Sequence, residues 1–301
     1  MPFPFVDPSL GYHASAAYLR QLLDRIEQDI IMPIVISSTE ATPFRELLEV
    51  VVGTYNEELH KKGKRLDFGD DSTRWAYVYV FLMRHSHLVH TALVSMIPFT
   101  QKFAIWQNIP QLRMVAIGGG PGSDVLGFAL FLKTLGITSN FHATIIDRCN
   151  EWKKTWASLR DRTQDLPISQ VDFISEDLTS DGLSSHAREA IKHAHLITLV
   201  KVISSISAFI ITKPVPQRLA FLETVTPGTY VLYIDNSVGP HTDLFMETIQ
   251  YARLGFKLVN AFTNDVEFPL GPSSNQPLVE WLSFYPAKCG MNNFILLQKV
   301  C

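Results

Sequence analysis

An α/β fold is predicted: a mostly parallel seven-stranded sheet ending in an antiparallel hairpin, preceded by a helical region. Three observations predict it. From Arg113 onward, short β-branched runs alternate with amphipathic stretches. The first run is followed at once by a glycine-rich turn, "MVAIGGGPGSD" over residues 114–124. The last two runs have no helical stretch between them, only a segment with Gly271, Pro272, Pro277 and Pro286. Alternation of strand and helix builds a parallel sheet covered on both faces, whereas a long loop between two final strands fits antiparallel pairing. A first region over 1–112 and a second over 113–301 follow from this change of texture.

Within the first region the spacing is helical. Tyr18, Leu22, Ile26 and Ile30 recur four apart in "SAAYLRQLLDRIEQDII", one face of a 3.6-residue period. "TPFRELLEVVVGTYNEEL" opens with Thr42 as a candidate N-cap and Pro43 at the first helical position. "DSTRWAYVYVFLMRHSHLVHTALVSM" is apolar on most sides and stops before Pro98, the pattern of a helix enclosed by other elements. The strands expected thereafter are 114–118, 142–147, 171–175, 195–200, 229–235, 256–262 and 293–299.

Composition limits the functional classes. The 301 residues are 47% hydrophobic and carry a net charge of −3, enough for a large core in one or two domains. That charge argues against an overall electrostatic nucleic-acid binder. The dense basic run, His60 to Arg65, reads as a solvated helix end partly cancelled by Asp67, Asp70 and Asp71. Three scattered cysteines, Cys149, Cys289 and Cys301, suit a reducing compartment. The opening residues show no signal-peptide pattern, and Lys201 with three serines interrupts the longest apolar run, Leu196 to Ile211. An intracellular protein, cytoplasmic or nuclear/nucleolar, with no membrane span is expected.

Glycines at the carboxyl end of a parallel strand let backbone approach a ligand, and the helix that follows offers free N–H groups. The dinucleotide pattern G-x-G-x-x-G fails in every frame, at Ser123, Pro121 and Val125 in turn. G-x-G-x-G fits, through Gly118, Gly120 and Gly122. Asp124 comes directly after, an acid that suits a cationic or amine-bearing ligand better than an anion. Asp147, with Arg148 beside it, closes the second strand, where a carboxylate accepts from ribose hydroxyls or caps a helix. Asp177 and Leu178 follow the third strand, in what could also be a plain solvated turn, with Glu176 an alternative acid.

"VAIGGGPGSD" resembles motif I of class I S-adenosylmethionine-dependent methyltransferases, over roughly Arg113 to Val300. The resemblance implies a Rossmann-like seven-stranded sheet and S-adenosyl-L-methionine as cofactor. It implies that Gly118, Gly120, Gly122 and Asp124 form the turn of the site and that Asp147 and Arg148 stand at the ribose. Asp177 would accept from the adenine amino group and Leu178 would pack on the ring. More remotely, Trp152, Trp156 and "YIDN" (Tyr233 to Asn236) are similar to a subgroup that includes fungal enzymes methylating uridine N3 of large-subunit ribosomal RNA. Ser204 and Ser205 stand where that subgroup implies an acid.

Methyl transfer from a sulfonium is an in-line displacement, so the protein mainly aligns and desolvates, with a base where the nucleophile must lose a proton. Catalytic candidates at the ends of strands four and five are Asp235, Asn236 and Lys201, with Ser204 and Ser205 nearby. Their ordinary readings are a turn, a snorkelling lysine and helix caps. No N-P-P-[FY] motif follows strand four, which counts against amino-methylating DNA enzymes and glutamine-modifying protein enzymes. His85, His87 and His90 lack the carboxylate or cysteine company of a metal site, and no metal is expected; a substrate-pocket role for His85 or His90 stays open. The expectation is an S-adenosylmethionine-dependent methyltransferase acting on an RNA base, with Lys61, Lys62, Lys64, Arg65, Lys153, Lys154, Arg160 and Arg162 as its basic residues. The alternatives are a small-molecule N- or O-methyltransferase with a helical lid, and a non-catalytic scaffold of the same fold.

Overall fold

Side chains along the first strand already divide the molecule into its two layers. In a computed structural model describing residues 8–37, 42–54, 66–180, 182–251, 253–266 and 291–300, β1 spans Leu112–Ile117. Leu112, Met114 and Ala116 enter one apolar core, while Val115 and Ile117 enter the other. Strand side chains alternate between faces, and a strand buried on both reads as a continuous apolar run.

The remaining strands are β2 (Phe141–Asp147), β3 (Ile168–Ser175), β4 (Leu196–Val200), β5 (Tyr230–Asn236), β6 (Phe256–Asp265) and β7 (Met291–Lys299). Their order across the sheet is β3-β2-β1-β4-β5-β7-β6. The pairs β1·β2, β1·β4, β2·β3 and β4·β5 are parallel, and β7 runs antiparallel to both β5 and β6. This is the mostly parallel, Rossmann-like sheet with an antiparallel end that the residue pattern predicts. The prolines and glycine placed between the last two strands, the His60–Arg65 run, Cys289 and Cys301 lie outside the described residues.

The N-terminal segment contributes α1 (Pro8–Ile26), continued by a π turn (Glu27–Ile31) and α2 (Met32–Ser37), then α3 (Thr42–Gly53). Thr42 is the first residue of α3 itself. The expected long helix is α4 (Asp71–Tyr77), a π turn (Val78–Leu82) and α5 (Met83–Met96). Asp70 caps it, accepting from the Thr73 amide at 2.7 Å. The crossovers are α6 (Ser123–Thr134), α7 (Trp152–Arg160), α8 (Ser185–Lys192), α9 (Val202–Ile210) and the short α10 (Val215–Arg218), with α11 (His241–Tyr251) between β5 and β6.

The N-terminal helices share one core with α6, α7 and one sheet face; α8, α9 and α11 cover the other. Close approach makes the first core possible. A Cβ on Gly127 of α6 would stand 2.5 Å from the Ser86 carbonyl oxygen of α5, so only glycine allows these helices to touch. His193 ends α8, and the His195 amide bonds to the Arg113 carbonyl just ahead of the strand. Among the described residues no helix is long and apolar enough to cross a membrane.

Candidate functional site

The carboxyl ends of β1 to β4 meet at one cleft. The glycine turn shapes its floor. Gly118, Gly120 and Gly122 have φ of 63°, 47° and 89°, the left-handed region that costs an L-residue about 1–2 kcal/mol. Space reinforces the requirement: a Cβ on Gly122 would lie 2.6 Å from the Trp156 ring, and one on Gly118 would lie 2.8 Å from Val202. Gly118 lines the cleft, while Gly120 and Gly122 build the bend behind it.

Asp147 ends β2 and lines the same cleft. The Gly120 amide donates to its Oδ2 at 3.0 Å and the Cys149 amide to its Oδ1 at 2.9 Å. Its surroundings push the carboxyl above its ordinary value, through burial against the opposing pull of those amides. Each oxygen keeps further acceptor capacity. Arg148, Glu176, Asp177 and Leu178 are also in the lining. Glu176 accepts from the Ser184 amide at 3.0 Å, and Asp177 accepts from the Thr179 amide and hydroxyl at 2.9 and 2.6 Å. Three carboxylates around one cleft make it a poor seat for a diphosphate.

Two expectations need correction. Asp124 does not face the cleft. It is 2% exposed, accepts from Thr198 of β4 at 2.5 Å, and ties α6 to the sheet interior. Burial pushes its carboxyl up to about 7. Asp235, expected with Asn236 to contact the acceptor, is fully buried. Its Oδ2 accepts from the Ser204 amide at 2.9 Å and its Oδ1 from the Asn236 amide at 2.8 Å. It thus serves one orphan N–H in the first turn of α9, that of Ser204, a capping role. Neither residue is in the cleft lining.

Lys201 does line the cleft, in a left-handed conformation with φ 58° that turns the chain from β4 into α9. Its ammonium donates to the side-chain oxygens of Asn236 at 2.5 Å and of Asn292 on β7. Asn236 and Asn292 are partners in the β5·β7 register. Ser205 lines the cleft and gives its hydroxyl proton to the Lys201 carbonyl at 2.6 Å.

Several lining residues escape a sequence reading altogether. Thr54, Leu66, Phe68 and Tyr77 come from the N-terminal part, and Cys149 from the turn after β2. The Phe68 ring stands 4.8 Å from Trp152 and 5.3 Å from Tyr77. Nothing local marks these positions, because folding alone brings them to the strand ends. Asn292 carried a faint signal, a polar residue entering a strand beside another asparagine. His85, His87 and His90 are buried in or beside the helical core, and no cluster among the described residues could hold a metal ion.

No protein-family model and no curated protein sequence matches this chain. Solved structures do resemble it. One is a SAM-dependent methyltransferase from Methanosarcina mazei, at 13% identity and TM-score 0.42, covering 64% of this chain and 93% of that one. Another is precorrin-6y C5,15-methyltransferase from Geobacter metallireducens, at 7% identity and TM-score 0.40, covering 69% and 86%. A third is an S-adenosylmethionine-dependent methyltransferase from Clostridium acetobutylicum, at 7% identity and TM-score 0.39, covering 68% and 91%. At these values the likenesses add nothing to what the sheet order already defines.

Proposed function

We propose that this protein is a methyltransferase that uses S-adenosyl-L-methionine. One observation carries the reading: Asp147 stands in the cleft at the end of β2, held at both oxygens by backbone amides, one of them from the glycine turn. An oriented carboxylate beside a bend without side chains suits a ribose diol. The rest of the lining fits the same cofactor. Its acids disfavour a diphosphate, and Leu178, Val200, Val202 and Phe68 offer apolar surface.

In this reading Asp147 accepts from the ribose hydroxyls, Asp177 from the adenine amino group, and Leu178 packs on the ring, with Arg148 at the rim. The cofactor supplies a methyl group already activated on a sulfonium. The chain supplies alignment and dryness. Lys201, which lines the cleft, orients the acceptor, while Asn236 and Asn292, outside the lining, hold its ammonium in place. Asp235 acts indirectly, by setting the start of α9.

We take the acceptor to be a small molecule. The N-terminal residues Thr54, Leu66, Phe68 and Tyr77 wall the cleft. Two cations that an RNA acceptor would need are engaged internally: Arg160 donates to the Thr163 and Ile168 carbonyls, and Arg162 to the Ser158 carbonyl and Asp29. RNA remains the second reading, supported by the exposed Lys153 and Lys154 on α7.

Calorimetry tests the cofactor. Wild type should bind S-adenosylmethionine, and Asp147→Ala should bind at least about tenfold more weakly, since hydrogen bonds to a charged group contribute about 1.5–3 kcal/mol. A wild type that binds none, or that takes NADH in its place, ends this reading. Nucleoside mass spectrometry and a metabolite screen on cells lacking the protein then separate the two acceptors.

A further inference from the structure

Arg74, on α4, is 3% exposed, and the sequence gives it no role. Its guanidinium is nevertheless the hub of the cleft's outer wall. Nη1 donates to the Phe68 carbonyl at 2.7 Å and to the Gly69 carbonyl at 2.8 Å. Nη2 donates to Asp71 at 2.7 Å, and Nε to the Thr155 hydroxyl of α7 at 3.1 Å. Phe68 and Gly69 belong to a turn outside any helix or strand. Its position therefore depends on side-chain bonds rather than on a backbone ladder.

The tie continues into the site. The Cys149 thiol lies 3.3 Å from the Phe68 carbonyl and equally far from Glu151 Oε2. Burial is the main cause that lifts this thiol to about 11, so it stays protonated and able to donate. The Cys149 amide in turn holds Asp147 Oδ1. A continuous path thus runs from Arg74 through the Phe68 carbonyl and Cys149 to the carboxylate of the cleft. The planar guanidinium fork can grip two carbonyls, a carboxylate and a hydroxyl at once; an ammonium cannot match that geometry.

We infer that Arg74 is a positioning residue for the cofactor: it never lines the cleft, yet it fixes the Phe68 wall and, through Cys149, the orientation of Asp147. This rests on the methyltransferase reading above. Arg74→Gln should weaken S-adenosylmethionine binding by tenfold or more by calorimetry. Arg74→Lys, which keeps the charge and part of the carbonyl grip, should recover some of the loss. A purely structural role would lower the ligand-free stability but leave the free energy of stabilisation by a fixed ligand concentration unchanged, because at one temperature that stabilisation is set by the ratio of ligand concentration to Kd. A positioning role shrinks that stabilisation. Thr155→Val, which removes the acceptor of the Nε bond and lies outside the cleft lining, serves as the second variant, should Arg74→Gln fail to fold, and should weaken binding in the same direction. A folded Arg74→Gln protein, or failing that a Thr155→Val protein, that binds with wild-type affinity overturns the inference and leaves the methyltransferase reading standing. A wild type that binds no S-adenosylmethionine overturns both.

Discussion

Mild acid should destabilise this protein through the histidines of α5. His85, His87 and His90 are 4%, 0% and 0% exposed. Burial lowers His87 from the ordinary 6.5 to about 4, and His90 to about 3 with a further push from His87. Burial, then the nearby charges of Arg84 and Lys201, takes His85 well below 6.5. The folded state therefore holds neutral imidazoles. The stability they confer is complete above the unfolded value of ~6.5 and is lost as the pH falls through it. At pH 5 each such histidine costs about 2 kcal/mol by linkage, so His87 and His90 together cost roughly 4 kcal/mol. Asp124 opposes them. Its carboxyl is raised to about 7, so the folded state favours its neutral form and gains roughly 2–3 kcal/mol between pH 7.5 and 5. His87, His90 and Asp124 together leave a loss of about 1–2 kcal/mol, to which the lowered His85 and His195 add and which the raised Asp147 opposes, against a typical total of ~5–15 kcal/mol. Urea unfolding at pH 7.5 and 5.0, on wild type and His90→Gln, isolates one contribution from the rest. Wild type should lose about 2 kcal/mol more than the variant over that interval. Equal losses would mean that His90 is not held neutral by burial, and the argument would fail.

Asp235→Ala should behave as a stability variant. Loss of its bond to the Ser204 amide leaves a buried donor without its acceptor, so chemical unfolding should show a cost of about 1–3 kcal/mol, with S-adenosylmethionine affinity changed less than about twofold; a large affinity loss at wild-type stability would return Asp235 to the site. Gly127→Ala should destabilise by about 1–3 kcal/mol despite alanine's better helix propensity, because the new Cβ meets the Ser86 carbonyl at 2.5 Å. Unfolding curves at or above wild-type stability would show that α5 and α6 can part without cost.

Much of the fold was legible because it is local. The runs near residues 114, 142, 171, 196, 230, 256 and 293 became β1 to β7 within a few residues of the expected bounds, since β-branched runs and the breaks between them act over short distances. The apolar run that stops before Pro98 marked the long helix for the same reason, whereas its Asp70 cap emerged only in the structure. The glycine turn was legible because positive φ restricts residue type wherever it occurs. Asp147 and Asp177 were singled out by their place after strands, and both line the cleft.

Sequence by itself determined where the chain bends without side chains, which runs make strands, and which acids follow them. Tertiary structure alone decided which way those acids face and what else joins them. Asp124 follows the glycine turn in sequence and Asp147 meets it only in space, through the Gly120 amide, yet the first is locked inward by Thr198 of β4 and the second opens on the cleft. Phe68, Tyr77 and Asn292 reach the site from distant segments. Even the change of texture at Arg113 marks local structure only, since one core runs across it from Leu19 to Phe294. Periodicity records which side of an element is apolar; the hydrogen-bond partners that orient a buried polar group are fixed only when distant segments pack.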